Sequence, residues 1–265
     1  MKLRLLAGGI ALALSLTTSC NTNPITGRKQ LSIISSSQLM ASSFQGYQET
    51  LNKSKLSTNT AEVNRIKRIG KRIQTAVEKY YADKGLSNQL AGFEWEFNLI
   101  DEPTVNAWCM PGGKVAFYTG ILPVCKTDDG IAVVMGHEVA HAVANHSAER
   151  ASQGLVKEFG LGLAGAAVQN NPTTTNQILL QASGAATQLG MLSFSRKHES
   201  ESDHMGLIFM AMAGYNPQEA PKFWERMAAA GGQAPPEFLS THPSSSTRVK
   251  QLNGWMSEAL QYYKK

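Results

Sequence analysis

The run His137-Glu138-Val139-Ala140-His141 carries the most specific chemistry in this 265-residue sequence. Residues four apart on an α-helix lie about 40° apart on one face, so both imidazoles can reach one metal ion. Glu138, about 100° further round, stands off that face and can approach a water activated by the metal, where a general base is needed. Zinc accepts imidazole ligands and brings the pKa of water towards neutrality. The expected cofactor is therefore Zn2+, one per chain.

A catalytic zinc site keeps three protein ligands and one open position. The third ligand is sought in Glu199-Ser200-Glu201-Ser202-Asp203, where Glu199 and Asp203 share a helix face and Glu201 projects about 200° away. Helical geometry alone admits either glutamate. Company favours Glu199: Asp203, one turn on, is placed to accept the outer N–H of a ligating histidine and fix its tautomer, whereas Glu201 has no such companion. His146, five residues past His141, falls about 140° off its face on a continuous helix and reads as structural. His198 and His204 receive no role.

The elements that must position these residues are written in the hydrophobic pattern. Asp128 and Asp129 open a helix running to about Asn145 that is apolar nearly all round, through Ile131, Val133, Val134, Met135, Val139 and Val143. Such a helix is buried, and unmatched histidines and a glutamate inside it would carry a desolvation penalty. Val63, Ile66, Ile69, Ile73 and Val77 recur at three and four and predict an amphipathic helix over residues 60–81. The alternation of Phe93, Trp95, Phe97 and Leu99 predicts a half-buried strand. Segments 105–109 and 114–119, joined by Pro111-Gly112-Gly113, predict a hairpin. Helical patterns follow over 155–168, 177–189, 194–212, 217–227 and 247–262. The expected fold class is α+β, mainly α, with a small antiparallel sheet and a central HExxH helix.

The first nineteen residues have a basic start at Lys2 and Arg4, an apolar run from Leu5 to Leu16 and a small polar end, the pattern of a secretory signal peptide. Cys20 after small residues resembles the lipid-modified cysteine of a bacterial lipoprotein. The expected organisation is a signal peptide over 1–19, a lipid-anchored tether over 20–43 and a catalytic domain over 44–265. Removing Lys2 and Arg4 with the leader lowers the formal charge from +5 to +3, too little for a nucleic-acid partner. In an exported protein Cys109 and Cys125 are either a disulfide or two free thiols. The glycine-rich stretch from Gly154 reads as a packed helix, since Lys157 and Glu158 interrupt it.

The sequence resembles the zinc metallopeptidase family that includes HtpX, the CAAX prenyl proteases and the mitochondrial Oma-type proteases, most of all its exported bacterial lipoprotein members. The similar stretches are NPITGRKQL, NAWCMPGGKVAFYTGILPVC, MGHEVAHAVANHSAER, SFSRKHESESDHMG and STHPSSSTRV, and HExxH with a downstream ExxxD is a specific combination. The resemblance implies a gluzincin-like domain with Glu199 as third zinc ligand and Asp203 orienting the first histidine. It implies that Asn106 and Ala107 belong to an edge strand along which an extended peptide lies. It also implies that His242 lies near the metal, steadying the oxyanion or filling the open site at rest, with Arg248 six residues on.

These residues imply a zinc endopeptidase acting on polypeptides, with exposed or misfolded cell-envelope proteins as the expected substrates and the periplasmic side of a bacterial membrane as the expected location. A chaperone or scaffold with a closed zinc site is the alternative from another class. Prenyl-protein processing is set aside, because the sequence after the leader offers no set of membrane spans.

Overall fold

The fold is known from a computed structural model, which describes residues 20–160, 166, 168, 170, 172–183, 195–230, 237–242 and 247–264. The proposed signal peptide, residues 161–165, 167 and 169 of the glycine-rich stretch and the region from 184 to 194 lie outside the described residues. In chain order the elements are β1 (Cys20–Thr22), β2 (Lys29–Leu31), α1 (Ser36–Lys53), α2 (Thr60–Asp83), β3 (Glu96–Ile100), β4 (Ala107–Met110), β5 (Lys114–Tyr118), α3 (Leu122–Cys125), α4 (Asp128–Val143), α5 (His146–Phe159), α6 (Pro172–Ser183), α7 (Arg196–Met212), α8 (Glu219–Ala230), α9 (Glu237–Thr241) and α10 (Arg248–Tyr262).

Helix α4 lies at the centre. Thr127 caps it by accepting the Gly130 N–H, and Arg65 and Arg68 of α2 hold Asp128 in its first turn at 2.6 and 2.8 Å. Every residue from Gly130 to Val143 is buried, as its apolar circumference requires. The predicted stripe Ile66, Ile69, Ile73 and Val77 of α2 is fully buried in the same core. Helix α7 crosses α4 closely at two glycines: a Cβ on Gly136 would stand 2.8 Å from the Gly206 carbonyl oxygen, and one on Gly206 2.8 Å from the His137 nitrogen. Two residues without side chains thus let the HExxH and ExxxD helices approach backbone to backbone.

The sheet differs from the expected antiparallel one: it is mixed. Strands β4 and β5 form the predicted antiparallel hairpin, but β3 pairs with β5 in parallel, giving the order β3-β5-β4. Alternation fixes which face of a strand is buried and says nothing of its neighbour, so the inserted middle strand was not readable. The outer edge of β3 is covered by residues 55–57, through Asp101 N to Lys55 O and Ser57 N to Leu99 O. Strand β4 forms the other edge.

The segment expected to be a tether is structured instead. Residues 20–31 form the antiparallel pair β1–β2, and α1 begins at Ser36 with a capping box on Ser35, so a boundary at residue 44 would cut a helix in two. Its polar residues, which lack helical periodicity, are spent on hydrogen bonds to the body: Gln30 Nε2 to the Ala144 carbonyl at 2.7 Å, and the Ile33 and Ile34 N–H groups to Ser152 Oγ at 2.9 and 3.1 Å. Cys109 and Cys125 are free thiols. Among the described residues no helix is long and apolar enough to cross a membrane.

Candidate metal centre

Helix α4 carries His137 and His141 on one face, and their Nε2 atoms stand 3.1 Å apart. Helix α7, capped by Ser195 Oγ on the His198 N–H, brings Glu199 to them from its first turn. Its carboxylate oxygens lie 3.5 Å from His137 Nε2 and 3.3 Å from His141 Nε2. The chain then returns at the end of α9 and adds His242, whose Nδ1 is 3.0 Å from Glu199 and 3.3 Å from His137 Nε2. Donor atoms of these four buried residues all lie within 4.8 Å of one another.

These separations suit a metal ion. Ring nitrogens this close cannot all satisfy one another, because a neutral imidazole has one donor and one acceptor. The ligand-to-ligand edge of a zinc tetrahedron is about 3.4 Å for bonds of about 2.0–2.1 Å. The measured separations of 3.0–3.5 Å bracket that edge. The donor set of three imidazoles and one carboxylate fits Zn2+.

The electrostatics prepare Glu199 and His141 as donors, whereas at His137 the pull of burial is outweighed by Asp203 and Glu199, which push it up to about 9. Burial alone would raise the Glu199 carboxyl, but His242, His137 and His141 outweigh it and hold the group well below the usual carboxylate range. Burial drives His141 well below the ordinary imidazole value, leaving it neutral as a ligand must be. Around them the supports are dense. His137 Nδ1 is 2.9 Å from Asp203, and Arg248 donates Nε–H to the other oxygen of Asp203 and a terminal N–H to Glu199. The Arg248 guanidinium lies 3.6 Å above the Trp224 ring, and the Phe238 ring stacks on His242 at 4.6 Å.

Glu138 faces the same cluster from the side. Its Oε1 is buried without a hydrogen-bond partner and lies 3.4 Å from His242 Nε2. Burial raises its pKa, an effect opposed by His242, His137 and a hydrogen bond from the Cys109 backbone in β4. An ionisable oxygen kept without a hydrogen bond beside four residues that could hold a metal is placed to handle a proton. Strand β4 runs alongside, with Asn106 buried just before it and Ala107 at its start, and the Phe238 N–H donates to the Val105 carbonyl at its flank.

A model of peptidase family M48 matches residues 67–256. The chain belongs to that family. As an M48 peptidase it is similar to the mitochondrial metalloendopeptidase OMA1 of Saccharomyces cerevisiae, with 40% identity over 198 residues, 71% of this chain and 54% of that protein. It is 28% identical to the metalloendopeptidase OMA1 of Homo sapiens over 259 residues, 95% of this chain and 49% of that one. It is 29% identical to the beta-barrel assembly-enhancing protease of Escherichia coli over 161 residues, 58% of this chain and 33% of that one. The chain therefore spans about half the length, or less, of the curated relatives it matches. M48 peptidases are zinc-dependent, in accord with the donor set.

The sequence did not disclose a second polar layer behind these four donors. His146, His198, Glu149, Glu201 and Arg28 form it, all but Arg28 deeply buried. Its one sequence signal is the stretch NPITGRKQL, noted as a family marker and given no task. Glu201 does point away from the metal donors, as its position on the helix requires, and meets His146 instead. His204 lies apart, paired with Glu258 at 2.7 Å.

Proposed function

We propose that this M48 domain is a zinc endopeptidase that cleaves internal peptide bonds in extended segments of exposed or misfolded cell-envelope proteins. The observation that carries the reading is Glu138 Oε1, buried without a hydrogen bond at the rim of a donor set sized for zinc. His137, His141 and Glu199 are the ligands of the working site, and Asp203 orients His137. Zinc bound there supplies Lewis acidity, activating water and polarising the scissile carbonyl. Glu138 takes the proton of the attacking water and delivers it to the leaving amine. The substrate chain adds to the β4 edge beside Asn106 and Ala107, held by main-chain hydrogen bonds.

His242 closes the site at rest. Two features support this: its Nδ1 sits at tetrahedral-edge distance from His137 Nε2 and Glu199, and the helix before it is tied to Val105 beside the strand a substrate would join. Arrival of a peptide at β4 competes with that tie and frees His242, which then stands near enough to steady the oxyanion. Arg248 is the fixed post of this arrangement, gripping Glu199 and Asp203 together.

Export and a lipid anchor at Cys20 are part of the proposal and rest on the first twenty residues. Because β1 begins at Cys20, an anchor there holds the domain directly at the membrane surface with no flexible leash. The test is metal removal. The purified chain is expected to cleave casein with zinc bound, to lose cleavage on chelation and to regain it with one equivalent of Zn2+. A protein that binds casein, holds zinc and never cleaves would instead support the chaperone reading with a permanently closed site.

A further inference from the structure

His141 has a second nitrogen, and the fold does not leave it to solvent. Its Nδ1 lies 2.9 Å from Nδ1 of His146, whose Nε2 lies 2.9 Å from Glu201 Oε2. One protonation pattern satisfies this chain when His141 Nε2 faces a metal: His141 Nδ1–H donates to His146, and His146 Nε2–H donates to Glu201. The arrangement repeats, through one extra imidazole, what Asp203 does for His137.

The terminal carboxylate is itself fixed. Arg28 Nε donates to Glu201 at 2.7 Å, and the Thr26 hydroxyl donates to its other oxygen. The same guanidinium grips both oxygens of Glu149 at 2.9 and 2.7 Å, and Glu149 accepts from His198 Nε2 at 3.0 Å. The His198 ring stacks on His146 at 4.4 Å with 22° between planes, holding the relaying imidazole flat.

A break in the backbone makes the contact possible. On an unbroken helix His146 would point about 140° from His141. Asn145 instead takes a left-handed conformation, φ 56°, ending α4 and starting α5 so that His146 folds back. The segment before α1 and the first residue of α1 secure this bend too: Gln30 holds the Ala144 carbonyl and Ser36 donates to Asn145 Oδ1 at 2.9 Å.

We propose that His146, Glu201 and Arg28 form a second positioning arm that fixes the tautomer and orientation of His141, and that Thr26, Arg28 and Gln30 are thereby part of the metal site's support. This rests on the reading of His141 as a zinc ligand.

The test measures zinc affinity by chelator competition and the visible spectrum of the cobalt-substituted full chain, for His146→Phe, His146→Gln, Glu201→Gln and Arg28→Gln. His146→Phe keeps the stacked ring and removes both nitrogens; Glu201→Gln keeps shape and removes charge. Each is expected to weaken zinc binding roughly 10–100-fold and to shift the cobalt bands, with His146→Gln closer to wild type because its amide both accepts and donates. Ser152→Ala is the packing control, since it loosens residues 33 and 34 without touching this chain; its zinc affinity is expected to be unchanged. Wild-type affinity and spectrum in folded His146→Phe or Glu201→Gln would overturn the proposal, as would an equal loss in Ser152→Ala. If His146→Phe does not fold, Glu201→Gln and Arg28→Gln decide alone. A His141→Ala protein that still bound one stoichiometric zinc would refute the ligand reading instead, a result separable from the rest.

Discussion

Asp203 reaches His137 Nδ1 at 2.9 Å with one carboxylate oxygen and takes the Arg248 Nε–H with the other. One side chain of α7 thereby ties a proposed metal ligand of α4 to a buried cation of α10, so three helices distant in sequence share a single carboxylate.

Asp203→Asn tests that tie. The amide keeps the shape but loses the charge that holds the His137 N–H, and zinc affinity is expected to fall roughly 10-fold or more. Chelator competition on the folded protein measures it, and an unchanged dissociation constant would contradict the assignment.

Arg248 is 3% exposed and faces two carboxylates. Arg248→Ala leaves both without their cation and is expected to cost about 3–5 kcal/mol of stability, the usual penalty for breaking a buried pair. Arg248→Lys keeps the charge but loses the two-pronged grip and the stack on Trp224, so it should fall between the two. Urea unfolding of the three proteins reads the order; Arg248→Ala as stable as wild type would refute it.

Stability is expected to fall in acid, and the sign follows from the layer behind the proposed metal ligands. Burial alone would raise Glu149 and Glu201, but His198 and Arg28 at the first, and His146, Arg28 and Thr26 at the second, hold each at about 2 against the ordinary 4.5. The unfolded chain takes up these protons as pH drops through 4.5 and the folded chain only near 2, so their stabilisation is complete above 4.5 and is lost between 4.5 and 2. Burial lowers His146 from 6.5 to about 4, which starts the loss already below pH 6.5 because the unfolded chain protonates first. Urea unfolding at pH 5.5, 4.5 and 3 should give falling free energies, and Glu149→Gln should flatten the steep end. A constant unfolding free energy across that range would contradict the account.

Much of the site was legible because its information is local. The spacing of His137 and His141, and of Glu199 and Asp203, is fixed by helical periodicity, and the apolar surround of α4 declared the helix buried. His242 was not readable from its neighbours, since its place depends on the chain returning past residue 237; only the family resemblance suggested it. His146 stays outside the donor set, in keeping with its structural reading, but the angular estimate behind that reading assumed an unbroken helix, and Asn145 breaks it. The tether reading failed because Thr26, Arg28 and Gln30 find their partners 114 to 175 residues away. A polar segment without periodicity looks the same whether it is solvated or clasped by buried carboxylates.

The central claim is that Glu138 is the proton-handling base of a zinc peptidase. The most direct measurement compares casein cleavage by the wild-type chain and by Glu138→Gln, prepared identically and each shown to hold one zinc. The account predicts cleavage by the first and a loss of at least about 100-fold in the second with zinc content unchanged, the scale expected for removing a general base. Equal cleavage by both proteins at equal zinc content would contradict it.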